Sequence, residues 1–127
     1  MKSQSSMEFI AIFMILLAAL VVISFISYTQ LQAIRQYQTD LEVEKVLNDI
    51  AFKINTAYLE GDGFFINMTL PNDIFGTDYT IEINSNEVLM EVSNVSYTKI
   101  LLTNNITGEP KKGLNFIENR RGEIILT

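Results

Sequence analysis

The chain has no cysteine and no histidine. Without cysteine, no disulfide can staple a small domain, and no thiolate is present to attack a substrate or hold a metal. Without histidine, the commonest general base and the commonest metal ligand are missing as well. No catalytic, cofactor-binding or metal-binding residue is assigned on these grounds, and an enzyme is not expected. The formal charge is −6, and the chain has no basic stripe. Lys111-Lys112 and Arg120-Arg121 are two isolated pairs, too few to neutralise a run of phosphates, which argues against a nucleic-acid partner.

Two further absences organise the N-terminal half. Neither glycine nor proline occurs from Met1 to Glu60, so nothing punctuates a single helix expected from about Ser6 to about Leu59. Such a helix is on the order of 80 Å long, far more than a bilayer's thickness. Charge is absent from Phe9 to Ile34, and Ser24 is the only polar residue from Phe9 to Ile26. That run is long enough to cross a hydrocarbon core of roughly 30 Å. A secretory signal peptide has a shorter apolar core and a small-residue cleavage site. Here the apolar run leads straight into a continuing helical pattern, so a cut after it is not expected.

Past Tyr28 the pattern becomes amphipathic. Leu31, Ile34, Tyr37 or Gln38, Leu41, Val43, Val46-Leu47, Ile50-Ala51, Ile54 and Ala57-Tyr58 recur at spacings of three and four. Gln30, Arg35, Asp40, Glu44, Lys45, Asp49 and Lys53 make the other face wet. The apolar stripe needs a cover, and the sheet expected downstream would supply it.

Gly61 suits the left-handed cap that ends a helix. Asp62, between two glycines, reads as a plain turn, because no acidic residue follows at metal-ligand spacing. Strand signals follow at Phe64 to Leu70, Tyr79 to Asn84, Val88 to Ser93, Tyr97 to Leu102, Leu114 to Glu118 and Glu123 to Leu126. Alternation points Phe64, Ile66, Met68 and Leu70 inward and leaves Phe65, Asn67 and Thr69 outside. It likewise turns Tyr79, Ile81, Ile83, Val88, Met90 and Val92 inward. Ile74-Phe75 is expected to dip into the core, Asn84-Ser85-Asn86 and Arg120-Arg121-Gly122 to make tight hairpins, and 103–113 to be the longest loop. Phe65 and Tyr97 read as packing against sheet neighbours rather than as a sugar platform. The expected fold class is α+β: one long N-terminal helix, apolar then amphipathic, followed by a small antiparallel β head packed on it.

Glu8 stands immediately before the apolar run, where an unpaired carboxylate is costly to desolvate. Two readings are open. Ser5 and Glu8 have the spacing of a capping box, or Glu8 pairs with a cation of a neighbouring chain, the nearest candidate being an α-amino group freed by a cut just upstream. Lys2 and the initiator amine precede the span, which favours an N-terminus in the cytoplasm and a head outside. Three sequons, Asn67-Met68-Thr69, Asn94-Val95-Ser96 and Asn105-Ile106-Thr107, agree with that placement and make Asn67, Asn94 and Asn105 candidate N-glycosylation sites.

The stretch Gln4-Ser5-Ser6-Met7-Glu8 and the apolar run behind it resemble the class III signal peptide of euryarchaeal type IV-like pilins, whose pattern is Gln, any, Ser, any, Glu, three apolar residues and Leu. Gln4, Ser6 and Glu8 match, and Ile12 stands where Leu is usual. The leader Met1-Lys2-Ser3 is shorter and less basic than the family's, with Ser3 in place of the commoner Gly. The resemblance implies a prepilin peptidase cutting between Ser3 and Gln4, and four segments: leader 1–3, membrane and filament-core helix 4–28, amphipathic continuation 29–60, and extracellular β head 61–127. It also implies a precursor held in the membrane that then self-associates into an adhesion pilus on the cell surface. Phe9, Ile12, Phe13, Leu16, Leu20 and Ile23 would lie in the filament core, and Glu8 would register incoming subunits. Ala11, Ala18-Ala19, Ser24 and Ser27 are small residues that let helices approach closely. Two alternatives remain: a minor subunit that primes or caps a filament, and an uncleaved single-span anchor carrying an extracytoplasmic binding domain, with Glu8 only a helix cap.

Overall fold

The computed structural model describes residues 2–127, with side chains described from Ser6 onward. Met1 lies outside the described residues, as do the side chains of Ser3 and Gln4. The first element, α1, runs Lys2–Glu60. It starts before the expected Ser6, since nothing in Lys2 to Ser5 breaks a helix. Ser5 is therefore inside the helix and not at its N-cap, which removes the geometry a Ser5–Glu8 capping box requires.

The chain forms two units, Met1–Gln38 and Thr39–Thr127. The first is helix alone. The second holds the end of α1 and seven strands: β1 Phe65–Leu70, β2 Tyr79–Asn84, β3 Glu87–Val92, β4 Val95–Ile100, β5 Ile106–Thr107, β6 Gly113–Arg120 and β7 Glu123–Leu126. They make two sheets, ordered β1-β6-β7-β5 and β2-β3-β4. All pairs are antiparallel except β5 with β7. The expected α+β class is observed, with the head divided between two sheets where one was expected.

The core sits between the last turns of α1 and the inner faces of both sheets. Val43, Ile50, Ile54 and Ala57 are fully buried there, against Met68, Val88, Met90, Ile117 and Ile124. The inward phase read for β1, β2 and β3 is observed, with Phe65, Asn67 and Thr69 exposed on the other side of β1. The cover over the amphipathic stripe reaches only from Val43: Leu31, Ile34, Tyr37 and Leu41 are exposed. The correction is geometric: at about 3.6 residues per turn Leu31, Ile34, Tyr37 and Leu41 fall on the side of α1 opposite Val43, Val46, Leu47, Ile50 and Ile54.

Turn chemistry fixes the connections. Gly61 ends α1 at φ 91°, and Gly63 N–H donates to the Asn119 carbonyl at 2.8 Å. The Asp62 carboxylate accepts from Arg121 N–H at 2.6 Å, so it joins two turns. Ser93 and Asn94 both have positive φ and form a two-residue β3–β4 hairpin, which starts β4 earlier than the expected Tyr97. Of the expected plug only Ile74 is buried, and Phe75 is exposed at φ 50°. β6 reverses the usual economy of a strand by burying Asn115 and Asn119 and exposing Leu114 and Phe116. Both asparagines are satisfied. Asn119 Nδ2 donates to the Ala57 carbonyl at 2.8 Å and its Oδ1 accepts from Gly122 N–H, while Asn115 closes the 111–113 loop through the Lys111 and Gly113 carbonyls.

Candidate functional site

Every side chain from Ser6 to Gln38 is exposed. The chain itself buries none of the residues assigned to the filament core; Phe9 is 70% exposed and Leu20 60%. Among the described residues one helix, Ser6–Glu60, is long and apolar enough to cross a membrane. Its Phe9–Ile26 run extends roughly 27 Å along the axis. Two hydroxyls on it bond locally: Ser24 Oγ donates to the Leu20 carbonyl and Thr29 Oγ1 to the Ile26 carbonyl, each at 2.8 Å. Such internal bonds let polar side chains sit on an apolar helix without a water partner. Phe9 and Phe13 stack one turn apart with centroids at 6.5 Å.

Glu8 is exposed at the head of this run. Among the described residues no cation pairs with it, whereas Lys45–Glu42, Lys53–Asp49, Lys112–Asp78 and Arg120–Glu118 are ion pairs. Gln4 and Glu8 are four residues apart on α1, so a backbone amine at Gln4 would lie about one turn from the carboxylate. Ser6 is exposed on the same helix.

No protein-family model, curated protein or solved structure matches the chain. The reading of the site therefore rests on its own residues.

In the Thr39–Thr127 unit, an open depression of about 450 Å³ lies beside Glu42, Lys45, Asp49, Leu70 and Pro71. Its charges are paired along the helix, Lys45 with Glu42 at 3.1 Å and Lys53 with Asp49 at 2.9 Å, beside Val46 and Thr69. Among the described residues no group of three or more Asp or Glu is placed to hold a metal ion. A second charged cluster is exposed: Asp78 pairs with Lys112, whose ammonium stands 4.6 Å from the Tyr79 ring centroid. The Lys112 hydrogen bond and charge hold the Asp78 carboxyl below its ordinary value, while burial raises the Tyr79 phenol.

The three sequon asparagines occupy different settings. Asn67 is exposed on β1, Asn94 is exposed in the β3–β4 turn, and Asn105 Nδ2 donates to the Gly122 carbonyl at 3.2 Å, so it helps hold β5 beside β7. Of Phe65 and Tyr97, expected to pack against sheet neighbours, Tyr97 is half-buried and its hydroxyl donates to Asp40 Oδ1 at 2.6 Å. Phe65 stacks on Phe116 across the strands with centroids at 5.4 Å. Sequence reasoning passed over Phe52 and Leu59, which are 67% and 70% exposed. Their seven-residue spacing, which puts both on one side of the helix, is the signal that could have found them.

Proposed function

We propose that this chain is a pilin: a structural subunit held in the membrane by α1 and assembled through that helix into a type IV-like adhesion pilus of an archaeal cell. The observation that carries the reading is the pairing of an apolar helix bare on every side from Phe9 to Ile26 with a lone carboxylate, Glu8, at its start. A helix apolar all round is covered either by lipid or by copies of itself, and the two environments differ little in hydrophobic free energy. Polar pairing then decides between them. Removal of Met1-Lys2-Ser3 by a prepilin peptidase creates an α-amino cation at Gln4, and Glu8 supplies the anion that a neighbouring subunit's amine can use. Contacts of this head-to-tail kind do not close, and so they generate filaments. The β head, with Asn67 and Asn94 outward, forms the extracellular surface.

Mass spectrometry of N-terminal peptides from appendages sheared off cells tests this directly. An N-terminus at Gln4 in sheared material is the expected result. Retention of Met1 with the protein confined to membranes would overturn the proposal and leave a single-span anchor.

A further inference from the structure

The outer face of the β1-β6-β7 sheet carries an aromatic pair with no protein over it. Alternation puts Phe65, Asn67 and Thr69 on this face, and the β1–β6 register sets Asn67 directly opposite Phe116. Phe65 and Phe116 stack at 5.4 Å with their planes 22° apart, yet Phe65 remains 58% exposed and Phe116 38%. Asn67 is thus flanked on its own strand by Phe65 and across the ladder by Phe116. Its side-chain amide makes no hydrogen bond among the described residues. Thr69, which completes the sequon, is exposed on the same face, and β1 is an edge strand, open to an enzyme from its free side.

We infer that Asn67 is N-glycosylated and that its first pyranose packs its C–H face on the Phe65–Phe116 pair. Cross-strand neighbours lie about 4.5–5.5 Å apart, within reach of a sugar attached at Nδ2. A pyranose supplies the partner this face lacks, an apolar C–H surface toward the rings and hydroxyls toward water. Neither other sequon offers this: Asn105 spends its amide on Gly122, and Asn94 stands in a turn beside Ser93, Glu91 and Thr80 with no exposed ring pair. The transfer needs a lipid-phosphate-linked sugar and a membrane transferase. Nδ2 bonds to the anomeric carbon, the bond from that carbon to the phosphate oxygen breaks, the lipid phosphate leaves, and Nδ2 gives one proton to a base of the transferase. The inference rests on the head being outside the cell, as the pilin reading has it.

The test uses the full chain recovered from cells of its own source. Cleavage before aspartates isolates the peptide from Asp62 to Asn72, which contains Asn67 and neither other sequon. Mass spectrometry is expected to show a sugar increment on it, lost in Thr69→Ala. Proton NMR of the solubilised protein is expected to show sugar ring protons shifted upfield by the aromatic pair, a shift abolished by Phe65→Leu with the increment kept. An unmodified Asn67 peptide overturns the inference, as does a modified one whose sugar protons show no ring shift. Digestion of intact cells by added protease separates the two readings: a head cleaved from outside but bare at Asn67 sinks only this inference, whereas a protected head sinks the extracytoplasmic placement itself.

Discussion

At the scale of single residues, the side chain that ties the helix to the sheet is Asn119, a polar residue 1% exposed in the middle of an apolar core. Its amide donates to the carbonyls of Ala57 and Tyr58, in the last turn of α1, where no helical N–H remains to satisfy them. Asn119→Leu keeps the branched four-heavy-atom shape and strands the buried Ala57 carbonyl and the Gly122 N–H. We expect a loss of about 1–3 kcal/mol in urea titrations of the full chain in detergent, against a change within about 0.5 kcal/mol for the exposed Asn104→Ala. Equal midpoints for the two variants would refute the assignment. The exposed Asp78 carboxylate makes a different, pH-dependent contribution. It accepts from Lys112 and from Tyr79 N–H, and its pKa is held below the ordinary 3.8, first by the Lys112 hydrogen bond and then by that residue's charge. The folded chain therefore stays ionised where the unfolded chain has already taken up a proton. The stabilisation is whole above 3.8 and drains away as the pH falls through the folded value. The Tm gap between wild type and Asp78→Asn should accordingly be small at pH 7, shrink with added salt, and close on acidification below 3.8. A gap that widens in acid contradicts the sign.

At the scale of elements, the head was legible where side chains alternate and obscure where backbone geometry decides. β1 and β2 were readable because apolar residues recur at every second position, and α1 because nothing in sixty residues interrupts it. β5 was not readable. Ile106-Thr107 is too short to show a period, and it pairs in parallel with β7 only because Gly108 lets the chain pass the end of that strand. A Cβ built on Gly108 would stand 2.2 Å from the Leu126 carbonyl oxygen, at φ 96°. Gly108→Ala should therefore cost about 2 kcal/mol or more, because the carbonyl belongs to backbone that Leu126's pairing with Ile117 of β6 holds in place. Gly76, also at positive φ but with nothing within 4 Å, isolates the conformational part. Its alanine variant is expected to cost about 1–2 kcal/mol. Thermal unfolding that ranks Gly76→Ala as the worse of the two would show that the close approach is not what Gly108 is for. The extent of the helix's cover was equally hidden. Spacings of three and four recur along α1, but at about 3.6 residues per turn Leu31, Ile34 and Tyr37 lie on the side opposite Val43 and Ile50, a change of face that counting spacings does not reveal.

At the scale of the whole molecule, the apolar side chains of α1 from Phe9 to Ile26 are exposed among the described residues, and the chain's behaviour depends on what covers them. Lipid is one cover and a bundle of like helices is another, so the hydrophobic area of Phe9 to Ile26 barely discriminates between them. In the proposed pilin the small polar difference at the start of the run is what favours the bundle, and Glu8 supplies it. A charge-assisted contact with a neighbour's N-terminal amine would be worth about 1.5–3 kcal/mol per subunit, which is about ten- to a hundredfold in the constant for adding a subunit. On the pilin reading, Glu8→Ala should keep leader removal, because the bond cut and the Gln4 and Ser6 of the peptidase pattern are untouched. It should also leave the Thr39–Thr127 unit folded, since Glu8 is not part of it, while cutting the yield of sheared filaments by at least about tenfold. Glu8→Gln keeps a hydrogen-bonding oxygen without the charge and should fall between the two. The measurement is filament mass per cell against membrane-bound processed subunit. Wild-type filament yield from Glu8→Ala would mean that helix packing alone drives assembly. Loss of leader removal in that variant would instead place Glu8 in the peptidase's recognition of its substrate, and the registration role would have to be given up.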